Sequence, residues 1–325
     1  MTRLVAITGA SGFVGSHIAA AFAEAGWRCR ALLRPGSPPP ETPVEVVRGA
    51  LDQAEALGQL VEGADAVVHA AGLTVSRDPE AFARVNVAGT EQMIAAWSAH
   101  CPEAAFVLIS SMAARVPELS PYAASKREAE ARLSGQAGRW SILRPAAVYG
   151  PRDAATRALF RMADGPVQPL LGPAEARLYL IHAEDVARAV VAAAEGAPAG
   201  ACWELSDARR DGYGWRETAI VLAEALGRTP RPVTLPPALV DALGWAAEHA
   251  PALQRIIGPL TPAKIRELRH LDWSSSVGEQ PPATLWSPQL DLAAGFRRTI
   301  SALMGDSTLS RRGRPSGSRL ATETR

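Results

Sequence analysis

The residues best suited to chemistry lie in Pro121-Tyr122-Ala123-Ala124-Ser125-Lys126. A lysine four residues after a tyrosine sits one helical turn on, on the same face. A free phenol, with a pKa of about 10, is too weak a base near neutrality. A neighbouring positive charge stabilises the phenolate and lowers that value, making the pair a general acid/base for a carbinol or carbonyl oxygen. Composition sharpens the pairing. Lys126 and Lys264 are the only lysines among 34 basic residues, and there are four tyrosines.

A second segment is built for an anion. Leu4 to Thr8 reads as a buried strand, runs into Gly9-Ala10-Ser11-Gly12-Phe13-Val14-Gly15, and is followed by a helical stretch from Gly12 to Ala25. Gly9 permits a tight turn, Gly12 lets the backbone approach a pyrophosphate, and Gly15 lets helix and strand pack closely. The helix N-terminus presents free N–H groups and the positive end of its dipole. The strand-loop-helix context is what such a glycine motif requires.

These segments are positioned by an alternation of short β-branched runs and alanine-rich helical stretches through about residue 145, which predicts a parallel sheet covered by helices. Strands are expected at Leu4 to Thr8, Cys29 to Leu33, Val44 to Val47, Ala66 to His69, Phe106 to Ser110 and Trp140 to Leu143. Helices are expected at Gly12 to Ala25, Gln53 to Val61, Pro79 to His100 and Tyr122 to Leu133.

The T-G-x-x-G-x-x-G spacing with the Tyr122/Lys126 pair resembles the short-chain dehydrogenase/reductase superfamily, in its extended, epimerase/dehydratase-like branch. The resemblance covers about residues 3 to 300 and implies an α/β fold: a Rossmann-type doubly wound parallel sheet with a smaller, discontinuous C-terminal substrate lobe. Residues 1–150, with 178–206 returning, would form the NAD(P)-binding lobe, and 151–177 with 207–304 the substrate lobe. The tail, 305–325, is rich in Ser, Arg and Gly and is expected to be disordered.

The resemblance also distributes roles. Gly9, Ser11, Gly12, Phe13, Val14 and Gly15 would cradle the pyrophosphate. Arg34, ending the second strand where an acidic residue would hold the ribose of NAD, favours NADP(H), with NAD(H) as the alternative. Leu51 would lie against the adenine, although Ala50 stands where relatives carry aspartate. Ala70, Ala71 and Gly72 would pass beside the ribose, with His69 structural. Tyr122, Lys126 and a serine would form the catalytic group, Ser111 being chosen and Ser110 held in reserve. Asn86 would support the site, and Pro145 and Val148 would flank the nicotinamide.

On the reaction, Met112-Ala113 stands where 4,6-dehydratases need Asp-Glu, and Ala147 where sugar-nucleotide enzymes commonly carry asparagine. Arg177, by contrast, occupies the place of a diphosphate-binding arginine. Arg34 favours net reduction or oxidation of a small molecule over internal recycling. The alternatives are a nucleoside-diphosphate-sugar epimerase with retained NAD, and a non-catalytic dinucleotide-binding scaffold or sensor.

Bulk properties agree with a small-molecule enzyme. The 34 basic residues nearly cancel 33 acidic ones, leaving no field to gather nucleic acid or anionic lipid. Cys29, Cys101 and Cys202 are odd in number and unpaired in spacing, so reduced thiols, no metal site and a cytoplasmic location are expected. No leader, no membrane span and a possible homodimer complete the expectations. Trp215, Trp245, Trp273 and Trp286 are read as core more readily than as a pocket lining.

Overall fold

The structure, a computed structural model, describes residues 2–250, 253, 260–275 and 277–305. In chain order the first half comprises β1 (Leu4–Thr8), α1 (Phe13–Glu24), β2 (Arg28–Leu33), β3 (Glu45–Arg48), α2 (Ala54–Val61), β4 (Ala66–His69), α3 (Pro79–Phe82), a π-helical turn (Ala83–Ala88), α4 (Gly89–His100), β5 (Ala105–Ile109), α5 (Pro121–Ser134) and β6 (Trp140–Pro145). The second half holds β7 (Ala147–Tyr149), α6 (Ala154–Ala163), β8 (Gln168–Leu170), β9 (Arg177–Leu178), β10 (Leu180–His182), α7 (Ala183–Gly196), β11 (Ala201–Leu205), β12 (Tyr213–Gly214), α8 (Trp215–Ala225), β13 (Pro232–Thr234), α9 (Pro237–His249), α10 (Pro262–Arg269) and α11 (Leu292–Gly305).

Seven parallel strands form the main sheet in the order β11-β6-β5-β4-β1-β2-β3. Every residue of β1, β4 and β5 is buried, as expected of strands covered on both faces. Side chains alternate between two cores. Val5, Ile7, Val68 and Val107 meet Ile18 and Phe22 of α1 and Val186 and Val190 of α7. Ala6, Val67, Phe106 and Leu108 meet Leu57 and Leu60 of α2 and Met93 and Trp97 of α4 on the other face. The strand order reverses between β1 and β4, so the crevice beyond their C-terminal ends is where this architecture binds ligands.

Several boundaries differ from expectation, each for a local reason. Gly12 is the cap of α1 rather than its first residue. β5 stops at Ile109, one residue short of expectation, and the Ser110 hydroxyl enters a buried ion-pair network. The helix expected from Pro79 to His100 is a continuous rod interrupted by the π turn that carries Asn86. Of the segments expected to return to the main sheet, Ala201–Leu205 does so beside β6, whereas Leu180–His182 pairs with β7 in a separate two-stranded sheet.

The later elements pack around further clusters. Tyr149, Phe160, Leu222 and Phe296 form one, and Val240, Leu260 and Ile265 another. A Cβ on Gly295 would lie 1.9 Å from the Tyr149 hydroxyl, so only glycine admits that ring against α11. Gly305 ends this helix instead of opening the expected tail, and residues 306–325 lie outside the described residues. Trp215 is buried and Trp273 and Trp286 half-buried, whereas Trp245 is exposed. The three cysteines are free. Among the described residues no helix is long and apolar enough to cross a membrane.

Candidate active site

The glycine loop owes its shape to backbone crowding. Gly9 has φ +78°, and a Cβ there would lie 2.7 Å from the Ala70 carbonyl carbon and the Ala71 nitrogen. A Cβ on Gly15 would lie 2.0 Å from the Gly9 oxygen. Loop and Ala70-Ala71 turn are therefore in direct backbone contact. Gly12 caps α1 without a side chain, and the first turn carries no acidic residue. The N–H groups of Phe13, Val14 and Gly15 are thus left to an incoming anion. Exposed Ser11 sits at the rim.

Beside this loop, Thr8 Oγ1 lies 2.7 Å from Nδ1 of buried His69 and accepts from the Ala71 N–H at 3.2 Å. Burial first, then the Lys126 charge, pushes His69 down to about 3, so it is a neutral structural side chain. Leu51 is half-buried where a Cβ on Gly89 would touch it. Ala50 sits in the turn before α2, its N–H donating to Gln53.

The π turn gives Asn86 its reach. Its Oδ1 accepts from Leu73 N at 2.7 Å, and its Nδ2 donates to the Leu73 oxygen at 3.0 Å and to Ser125 Oγ at 2.9 Å. Asn86 thereby ties the loop after β4 to α5. A Cβ on Gly72 would lie 3.1 Å from Asn86 Oδ1 and 3.8 Å from Lys126 Nζ, which brings Gly72, Asn86 and Lys126 together.

α5 begins with Ser120, whose Oγ accepts from Ala123 N at 3.0 Å, and with Pro121 in its first turn. This start places Tyr122 half-buried against Phe82, ring centroids 6.3 Å apart, with Ser111 near enough for its hydroxyl to favour the phenolate. Ser110 donates to Glu130 Oε1 at 2.5 Å. Glu130 also takes both arms of the Arg144 guanidinium, at 2.9 and 2.6 Å. Ser110 thus belongs to the Glu130–Arg144 network, and Ser111 is the serine of the pair left on the Tyr122 side.

Lys126 is buried and donates to the Ile109 oxygen at 2.6 Å. Burial lowers it to about 8, with Glu130 acting the other way. The Tyr122 phenol is raised to about 12, by burial first, opposed by Ser111 and reinforced by Glu267. The expected lowering by Lys126 is not what dominates: the ammonium is directed to the end of β5, and desolvation governs the phenol. As it stands the phenol is protonated near neutrality.

Two contributors escaped sequence reasoning. Arg48 donates to the backbone oxygens of Arg34 at 3.3 Å and Ser37 at 2.8 Å, so its guanidinium is held against the turn that carries exposed Arg34. Glu267 of α10 accepts from Ser120 Oγ at 2.7 Å and from Lys264 at 2.9 Å. The rarity of lysine was the available signal for the latter.

Pro145 ends β6 paired with Leu205, and Val148 of β7 pairs with Ile181. A Cβ on Gly150 would lie 3.4 Å from the Phe13 ring, so this turn returns to the start of α1. Arg177 pairs with Gly214 in the two-stranded sheet of β9 and β12.

The pattern defining the NAD dependent epimerase/dehydratase family matches residues 5–203. The chain belongs to that family. Ceramide reductase of Caulobacter vibrioides (strain NA1000 / CB15N) is 40% identical to it over 301 residues, 91% of this chain and 93% of that protein. The 4-hydroxy-2-methyl-3-oxo-4-farnesyl-3,4-dihydroquinoline-1-oxide ketoreductase of Stigmatella aurantiaca is 27% identical over 226 residues, 62% of this chain and 67% of that protein. In fold the chain is similar to MoeE5, solved with UDP-glucuronic acid and NAD, at TM-score 0.70 and 20% identity, covering 94% of this chain and 99% of that one. Membership in the epimerase/dehydratase family makes this an enzyme of nicotinamide-dinucleotide chemistry. The side-chain-free cap and open N–H groups of the glycine loop fit that group's pyrophosphate.

Proposed function

We propose that this enzyme reduces a ketone or aldehyde on a lipid-like substrate, with NADP(H) as the exchanged cofactor. The observation that carries the reading is α5, which presents Tyr122 with Lys126 one turn on, the lysine gathered with Gly72 and Asn86 and Ser111 near enough to act on the phenol. The dinucleotide supplies the hydride. Tyr122 gives the proton to the developing alkoxide, Ser111 hydrogen-bonds the same oxygen, and Lys126 holds the cofactor with the two N–H donors left after Ile109. Asn86 fixes the loop that Lys126 faces.

Arg34, on a turn to which the Arg48 guanidinium is bonded, is the proposed partner of a 2′-phosphate, since a guanidinium matches a phosphate far better than a ribose hydroxyl. The pieces 151–177 and 207–304 are proposed as the substrate lobe. For the substrate class, the two relatives just described are named for ceramide and for a farnesyl-bearing quinoline. A long-chain keto amide of the ceramide class is accordingly the first compound to offer. The purified enzyme with NADPH should convert it to the alcohol with stoichiometric loss of NADPH. A protein that retains NAD and instead inverts a nucleoside-diphosphate sugar without net cofactor use would establish the epimerase, with Arg177 on the diphosphate.

A further inference from the structure

We infer that Glu267, carried on α10 from the chain's C-terminal third, is a positioning residue that keeps Tyr122 in place as a protonated acid. The inference rests on reading Tyr122 as the proton donor. Its basis is a buried chain of contacts. Glu267 is 8% exposed, and both its oxygens are occupied: Oε1 by the Ser120 hydroxyl and Oε2 by Lys264 Nζ. Ser120 Oγ in turn accepts from the Ala123 N–H. The carboxylate therefore holds the cap of α5, two residues before the phenol.

Neighbouring contacts fix α10 at this spot. Arg266 donates from Nε to the Leu119 oxygen at 2.9 Å, and Trp273 Nε1 donates to the Glu267 backbone oxygen at 3.2 Å. Arg269 points elsewhere, to Asp241 and the Pro237 oxygen. The charged and titratable groups about the phenol are then Lys126 on its own helix, engaged with Ile109, and Glu267 with Lys264 on α10; Ser111 faces it from the turn after β5 and Phe82 from α3. A carboxylate held at the cap two residues before the phenol disfavours the phenolate, in agreement with the direction in which Glu267 moves Tyr122. Lys264, half exposed, partly neutralises that charge. An element outside the main sheet thus adds to the proton affinity that burial gives Tyr122 on α5.

The test is a tyrosinate absorbance titration by rapid pH-jump on the full chain. The component missing from Tyr122→Phe is assigned to Tyr122. In Glu267→Gln, which keeps an acceptor for Ser120 but removes the charge, this component should move to lower pH by about one pH unit. In Lys264→Met it should move to higher pH. Coincident curves for wild type and Glu267→Gln, or a downward move in Lys264→Met, would overturn the inference. If Glu267→Gln does not fold, the direction of the Lys264→Met move decides alone. The readout needs no substrate, so an enzyme without reductase activity would sink the proposed function and leave this result intact.

Discussion

Ser110 and Ser111 share a peptide bond and differ in partner: Ser110 donates to buried Glu130 at 2.5 Å, and Ser111 lies where its hydroxyl favours the Tyr122 phenolate. Their substitutions should therefore separate. Ser111→Ala should lower kcat by roughly 10²-fold with an unchanged melting temperature, since it removes one donor to the reacting oxygen. Ser110→Ala leaves a buried carboxylate oxygen short of a donor and should cost about 1–3 kcal/mol of stability with kcat nearly intact. Melting curves beside steady-state rates check both, and the reverse pattern would transfer the role to Ser110.

Lys126, lowered to about 8 by burial, is an ammonium below that pH and a neutral amine above it. Any binding that depends on its charge is present at lower pH and is lost as pH rises through about 8. The dissociation constant for NADPH, followed by fluorescence, should weaken about tenfold across that range. Lys126→Met should show the weaker value at every pH. A flat wild-type profile would remove Lys126 from the cofactor site.

Exposed Arg34 ends the strand edge with Arg48 behind it. Arg34→Asp should cut kcat/KM with NADPH by roughly 10- to 100-fold, a charge-assisted contact's worth, and spare or improve NADH. Equal losses with the two cofactors would show that Arg34 makes no contact with the 2′-phosphate.

His69, held down to about 3 in the folded chain, titrates near 6.5 when unfolded. Below 6.5 the unfolded chain takes up a proton that the folded chain refuses, so this residue's contribution is fully present above 6.5 and is lost as pH falls toward 3. Denaturant midpoints should decline over that window, and His69→Asn should flatten the decline. An unchanged decline in the variant would assign acid sensitivity to other groups.

What could be read in the sequence follows from the range of the forces involved. The β1–glycine loop–α1 unit is fixed by local backbone demands, and Gly9 and Gly15 carry them visibly. The four-residue spacing of Tyr122 and Lys126 is likewise local. The π turn was invisible, because Ala83-Arg84-Val85-Asn86-Val87-Ala88 carries no signal against an ordinary helix and the wide turn is selected by where Asn86 must reach, at Leu73 and Ser125. The choice of Ser111 rests on the resemblance, whereas the partner that occupies Ser110, Glu130, lies twenty residues away and outside any local pattern. Glu267 meets Ser120 across a separation of 147 residues, which no spacing rule encodes. Lys126 had the expected place but not the expected effect, because desolvation and the Ile109 carbonyl are properties of the folded environment.

The central claim is hydride transfer to a carbonyl with Tyr122 as acid. NADPH carrying deuterium at the transferable position of the nicotinamide should be supplied with a long-chain keto amide, and the alcohol analysed by mass. The account predicts one deuterium on the carbinol carbon, formed at a rate roughly 10²- to 10⁴-fold lower in Tyr122→Phe, while NADPH still binds that variant. An alcohol without label, or equal rates for wild type and Tyr122→Phe, would contradict it.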